Sequence, residues 1–555
     1  MRPVKFLVFP LFFLGLIGSA LSQKASIKSN PDETARPKLV IGIVVDQMRY
    51  DFLYRYRNRY GKGGFNRMLR EGYSFANCQY SYFPTKTGPG HASIYTGTTP
   101  AVHGISGNDW YETKENRLLY CTQDDTANGI GTTGKAGKMS ARNLQTYTVG
   151  DQIRLASNFK GKSFGISMKD RGSILPAGHS ANAAFWFESE SGNFISSSWY
   201  KNLNGKLPGW LETFNKKGYA RSFKDSVWKP LLPMNQYEAS STDNNIWEKS
   251  ILKTNPPVFP YRLSEDGTSD YNIVFNSPFG NDLTLLAATE LLKSEGLGKD
   301  ADTDFLSVSF SCTDVVGHDF GPYGIETEDT YLRLDRNLEA FFKTLDAEVG
   351  EGQYLCFLTA DHGILEIPAF LRSHKLPSDL FKSRQIADSL RAFSQRTFGT
   401  ANLISSFINE QVFLNETEIE KLKLNRPMVI QTLIEWLEKQ TYVRMAFPLE
   451  GARPFPEPPF LSKYEAGFYK GRSGHIQLIL APGILESGSD KGTSHGSPYS
   501  YDSHVPCLWM GWKIKPGETT NPIQIQDIAP TLTSLLHIME PNGCTGKPQT
   551  IPLKP

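Results

Sequence analysis

Beyond its first twenty residues, the 555-residue chain has no apolar run approaching the roughly 20 residues that a membrane span requires. Charge of one sign is not in excess either: the formal net charge is +2, which withholds the basic surplus expected of a nucleic-acid binder. Cysteine is sparse. The six residues Cys78, Cys121, Cys312, Cys356, Cys507 and Cys544 are widely spaced without a CxxC pair, so their spacing defines no disulfide framework. Cys312 and Cys356 sit in apolar, strand-like runs and are expected as buried free thiols. Internal repeats, low-complexity tracts and heptads are also missing, which excludes solenoids and coiled coils.

What is present begins with a leader. Arg2 and Lys5 precede the apolar stretch from Phe6 to Ile17, and the small residues Gly18, Ser19 and Ala20 follow it. This is the pattern of a secretory signal peptide over residues 1–20, with cleavage near Ala20 or Ser22. No lipobox cysteine follows. The mature protein is expected to be periplasmic or secreted, with no membrane attachment after cleavage.

Three apolar runs read as fully buried parallel strands: Leu39 to Val45, Phe305 to Phe310 and Tyr354 to Leu358. Phe164 to Met168, His475 to Leu480 and Pro506 to Trp512 are further candidates. Tyr331, Leu334, Leu338, Phe341 and Leu345 recur at helical spacing. Alternation of this kind predicts an α/β layered fold, with a central, mostly parallel sheet flanked by helices. Length alone suggests several domains, at roughly 150 residues each. The chemistry argues for a single catalytic domain over 37–540, because Asp46 and His495 must meet at one site. The excess length is then assigned to insertions: an irregular one over 184–260, rich in Trp, Tyr, Gly, Ser and Asn, and a small α+β unit over 382–447, with Leu403 to Phe413 as a strand and Pro427 opening a helix.

Functional groups in open α/β sheets collect beyond the carboxyl ends of the strands. Asp46, Asp314 and Asp361 each follow a strand-like run, His318 lies four residues after Asp314, and His362 adjoins Asp361. With His495 they make six nitrogen and oxygen ligands, a set that suits two zinc ions. Thr87, in Pro84-Thr-Lys-Thr-Gly-Pro-Gly-His91, is placed at a helix N-terminus, where backbone N–H groups favour an anion and a metal can activate the hydroxyl as a nucleophile. Asn108, Lys169 and Arg171 can bring donors to the same edge to stabilise a phosphoryl group. The other histidines have no third ligand at suitable spacing; His504 is a candidate for a supporting role near His495, and His91 is assigned none.

These motifs together resemble the alkaline phosphatase superfamily, and within it the phosphate-irrepressible alkaline phosphatases of flavobacteria. The resemblance runs from about Pro37 to Leu536 through VVDQMRYD, FPTKTGPGHASIYTG, HGISGNDWY, SMKDRGSI, TDVVGHDFGP, TADHG, GTSHGSPYSYDSHVP and DIAPTLTSLL. It implies Thr87 as nucleophile and zinc ligand, one zinc site of Asp314, His318 and His495, and a second of Asp46, Asp361 and His362. The substrates it implies are small phosphate monoesters, with Lys169 and Arg171 favouring the monoester dianion. The alternative within the superfamily is a phosphodiesterase or nucleotide pyrophosphatase. The C/S-x-P-x-R segment of sulfatases is not found in FPTKTGPGH. The expected enzyme is a monomer with no dedicated nucleic-acid partner.

Overall fold

The computed structural model describes residues 35–252, 256–451 and 460–554, so the leader assigned to residues 1–20 lies outside the described residues. In chain order the strands that frame the site are β1 (Leu39–Val45), β2 (Ser163–Ser167), β3 (Ala183–Glu188), β4 (Asp304–Phe310), β5 (Tyr354–Thr359) and β6 (Cys507–Gly511). Every residue of β1, β4 and β5 is buried, which explains why β1 is an unbroken apolar run and why β4 and β5 are mostly apolar, with Ser307 and Ser309 the small polar residues inside β4.

These strands belong to a ten-stranded sheet in which β5, β1, β4, β2 and β3 are consecutive neighbours, all parallel. β6 continues the sheet beyond β5 in the antiparallel sense, and Asn193–Ser197 does the same beyond β3. Val45 is opposite Phe310 across the β1–β4 pair, and Val44 is opposite Thr359 across β1–β5. That register brings the carboxyl ends of β5, β1 and β4 side by side.

Four helices matter for the site: α1 (Thr87–Thr96), α2 (Asp170–Ala177), α3 (Cys312–Phe320) and α4 (Ile325–Leu345). The periodic residues Tyr331, Leu334, Leu338, Phe341 and Leu345 are all buried along α4. All six cysteines are free, and five of them are buried. Among the described residues no helix is long and apolar enough to cross a membrane.

Four expectations need correction. The segment 184–260 does not begin as an irregular insertion: β3 and Asn193–Ser197 are strands of the main sheet, and Ala184, Phe185 and Trp186 lie in its core. Residues 403–413 form a hairpin of two strands, Ile404–Ile408 and Gln411–Leu414, turning at Asn409 and Glu410. The small α+β unit is not confined to 382–447, because its four-stranded antiparallel sheet recruits Ile476–Leu480 between Gln411–Leu414 and Val443–Pro448. His475 to Leu480, a candidate for the main sheet, is therefore the central strand of that smaller unit. Its core is separate, built from residues such as Leu390, Val412, Leu433 and Leu478.

Candidate active site

Asp46 follows β1 directly, Asp361 comes two residues after β5, Lys169 two after β2, and Asp314 stands in the first turn of α3 just beyond β4. Adjacent strand ends thus supply three carboxylates and one amine. Asp46 and Asp361 are fully buried and Asp314 is 4% exposed. The Lys169 ammonium donates to Asp46 Oδ2 and Asp314 Oδ2, each at 2.6 Å. One cation against three carboxylates leaves the cluster negative, a costly arrangement in a buried place without further positive charge.

The histidines are presented uniformly. His318 Nδ1 lies 2.8 Å from the Thr493 carbonyl, His362 Nδ1 2.9 Å from that of Gly363, and His495 Nδ1 2.7 Å from that of Thr85. A carbonyl only accepts, so each Nδ1 carries the proton and Nε2 is the ligand atom; His362 and His495 keep its lone pair, whereas Asp314 outweighs burial and raises His318, whose Nε2 proton a metal would displace. The Nε2 atoms face the carboxylates: His318 is 3.1 Å and His495 3.7 Å from Asp314 Oδ1, and His362 is 3.5 Å from Asp46 Oδ1. Burial pulls His362 down to about 4, against the attraction of Asp361. Burial also holds His495 well below the imidazole range, reinforced by His362. Both rings are neutral at neutral pH, the form that ligates.

Burial drives the Asp46 carboxyl well above the usual carboxylate range, and Asp361 adds to it. Burial acts on Asp314 in the same sense, but His318 and Lys169 outweigh it and hold that group well below the range. Asp46 Oδ1 is buried without any hydrogen-bond partner, and buried Asp361 Oδ2 has only the His91 ring, 3.3 Å away. An unpartnered buried oxygen, excess negative charge and three oriented Nε2 atoms fit divalent cations with mixed nitrogen and oxygen ligation.

The ligand atoms of Asp46, Asp361 and His362 lie within 4.8 Å of one another, as do those of Asp314, His362 and His495. The first trio coincides with one expected set. In the second, His362 stands where His318 was assigned, because the His362 and His495 rings stack with centroids 3.4 Å apart. His318 remains on Asp314, so it adjoins that trio rather than leaving it.

Thr87 is the first residue of α1 and is 1% exposed, with Oγ1 3.4 Å from His362 Nε2. Asn108 accepts the Gly88 N–H through Oδ1 at 2.7 Å, which leaves its NH2 group as a donor beside the helix start. Arg171 is held by Tyr120, whose hydroxyl accepts from Nη1 at 2.9 Å, while its buried Nε has no partner. Tyr120 in turn donates to Asp170 at 2.6 Å.

Some residues escaped the sequence reading. Gln47 donates from its backbone N–H to Asp361 Oδ1 at 3.0 Å and from Nε2 to Asp314 Oδ1 at 2.5 Å, bracing two carboxylates from a left-handed backbone at φ 67°. His91, assigned no role, is completely buried: Nδ1 lies 3.0 Å from the Thr87 carbonyl and 3.3 Å from Asp361 Oδ2, and Nε2 is 2.9 Å from Ser309 Oγ. It ties α1, which Thr87 opens, to Asp361, and its only sequence signal is the four-residue spacing from Thr87 on one helix face. His504 is a packing residue, stacked on Tyr50 and bonded to the Ala76 carbonyl. Gly90 lets α1 pack closely on Asp361: a Cβ there would lie 2.3 Å from the Asp361 carbonyl oxygen. Gly90→Ala is therefore expected to destabilise the fold by about 1–3 kcal/mol in urea melts and to lower turnover in step, by pushing Thr87 away from Asp361.

The model of the family "Type I phosphodiesterase / nucleotide pyrophosphatase" matches residues 40–500. Alkaline phosphatase PafA of Elizabethkingia meningoseptica is 44% identical over 99% of both chains. A solved structure of wild type PafA superposes with a TM-score of 0.88 at 45% identity, covering 92% of this chain and 98% of that one. A protein of Myroides odoratus named a calcium-transporting ATPase is 42% identical, covering 93% of this chain and 95% of its own. Alkaline phosphatase PhoV of Synechococcus elongatus is 41% identical over 97% of each.

Proposed function

The chain belongs to the alkaline phosphatase superfamily, within the type I phosphodiesterase / nucleotide pyrophosphatase family, and is a phosphomonoesterase; from that premise we propose an exported two-zinc enzyme that works through a phosphothreonine. Export rests on the leader pattern of residues 1–20. Asp46, Asp361 and His362 would hold one zinc ion and Asp314, His318 and His495 the other. When bound, the two ions supply Lewis acidity to the phosphoryl and leaving oxygens.

The protein's own groups do the rest. Thr87 Oγ gives up its proton to solvent and attacks phosphorus, the bond from phosphorus to the leaving oxygen breaks, and that oxygen takes a proton from water and departs as the alcohol on the His495 side. Water then attacks the phosphothreonine, releases phosphate and restores the hydroxyl. The NH2 of Asn108 and the guanidinium of Arg171 carry the equatorial oxygens through the transition state. Lys169, bonded to both Asp46 and Asp314, offsets carboxylate charge between the two ligand sets. The observation that carries this reading is the buried carboxylate pair Asp46 and Asp361, with Asp46 Oδ1 left without a hydrogen-bond partner, facing histidines clamped through Nδ1.

The family's name also covers diesterases, and the unpartnered Arg171 Nε favours monoesters. A monoester dianion has one more charged oxygen to occupy such a donor than a diester. Arg171→Ala should lower kcat/KM for phenyl phosphate by about 10–100-fold, the worth of a hydrogen bond to a charged group, while a diester loses much less. Equal losses on both would remove Arg171 as the source of the monoester preference. The name of the Myroides relative points to ATP, so phosphate release from ATP belongs in the same assay.

A further inference from the structure

A cavity opens beside the site, walled by His495, Lys86, Glu410 and Glu486. Lys86 immediately precedes Thr87, and its ammonium donates to the His495 carbonyl at 3.2 Å, so its stem spans from the nucleophile helix to the loop carrying His495. Gly496, at φ 131°, leaves room for it: a Cβ there would lie 2.8 Å from Lys86 Cε. Glu410 arrives from the separate α+β unit. It is the second residue of the two-residue turn between Ile404–Ile408 and Gln411–Leu414, and both Asn409 (φ 54°) and Glu410 (φ 56°) are left-handed without being glycine. Asn409 pins the turn over the site by donating to the Asp109 carbonyl at 2.9 Å, next to Asn108. Glu486 enters from the end of the strand Ile484–Glu486.

Neither the Glu410 nor the Glu486 carboxylate has a hydrogen-bond or ion-pair partner among the described residues. Burial pushes the Glu410 carboxyl well above its ordinary range, the neighbouring charge of Glu486 adds to this, and Lys86 opposes it. Both residues are half-buried, so two acceptors that no described residue occupies, one of them on a left-handed turn, stand open on one cavity wall to meet a ligand. In the reading above, the alcohol leaves on the His495 side, which is the side where this cavity opens.

We propose that this cavity is the leaving-group subsite, and that Glu410, with Glu486, selects phosphate monoesters whose alcohol carries a hydrogen-bond donor, an ammonium or a hydroxyl. The inference rests on the two-zinc phosphomonoesterase reading and adds the substrate class. A donor on the alcohol would bridge the two carboxylates and relieve their mutual repulsion, which a bare aryl group cannot do.

The test compares phosphoethanolamine, glycerol 2-phosphate and phenyl phosphate on the zinc-loaded full chain. The ratio of kcat/KM for each donor-bearing ester to that for phenyl phosphate should fall at least tenfold in Glu410→Gln for the ammonium ester, and in Glu410→Gly for both. A ratio cancels differences in active fraction. Glu410→Gly also removes the left-handed strain and should melt no lower than the parent, which separates selectivity from misfolding. Ratios that stay within twofold in both variants overturn the subsite while leaving the phosphatase reading intact. A parent enzyme that turns over none of the three esters overturns both.

Discussion

Thr87→Ala is expected to lower kcat/KM for phosphate monoesters by on the order of 10^4-fold or more, as the loss of a nucleophile does. The fold should be unaffected, because Lys86 rather than Thr87 occupies the cap position of α1 and the Thr87 hydroxyl has only the 3.4 Å approach to His362. Thr87→Ser supplies the control: it keeps the hydroxyl at the same helix start and loses one methyl group, so it should keep most of the activity. Acid-quenched mass spectrometry of the parent during turnover should show one phosphate on the peptide containing Thr87, and none on the alanine variant. Full activity in Thr87→Ala would place the nucleophile elsewhere and leave the carboxylate and histidine cluster without its proposed partner.

The central sheet was legible because its strands are buried on both faces. Leu39 to Val45 is predicted and found with the same limits, and Phe305 to Phe310 and Tyr354 to Leu358 each gain one residue. The chemistry at their carboxyl ends followed from the same fact, since a charged residue directly after an apolar run has nowhere to go but the sheet edge. Other features arise from backbone geometry that composition does not encode. Gln47 reaches Asp361 and Asp314 only because its φ is positive, which glutamine rarely adopts. The turn at Asn409 and Glu410 was missed for the same reason: a two-residue hairpin normally announces itself with glycine at the second position. In the segment after Ala183, the apolar residues Phe185, Trp186 and Phe187 were masked by the polar, glycine-containing sequence that follows, although they pack in the main core. His91 escaped because its partners, Asp361 and Ser309, are far away in sequence and meet it only through the packing of α1 on the sheet.

Removing the metal should silence the enzyme as completely as removing Thr87. Dialysis against a strong chelator is expected to reduce monoester turnover by on the order of 10^3-fold or more, since Lewis-acid stabilisation of the transition state is worth several kcal/mol. Zinc should restore it, and magnesium or calcium should not, because half of the six proposed ligands are imidazoles, which hard oxygen-seeking cations take poorly. Stability should follow the same course. A ligand that binds only the folded chain stabilises it by about 4 kcal/mol at a thousandfold excess over its dissociation constant. Without it, Asp46, Asp361 and Asp314 face one another with Lys169, bonded to two of them, and His318, beside Asp314, as the compensating groups. The stripped protein should therefore melt several degrees lower and recover on adding zinc. Elemental analysis of the active enzyme should give two zinc ions per chain, and Asp46→Asn should lower that count by weakening the trio of Asp46, Asp361 and His362. An active preparation free of any divalent metal would overturn the assignment at its root, whereas restoration by magnesium alone would keep the two ligand sets and change the identity of the ions they hold.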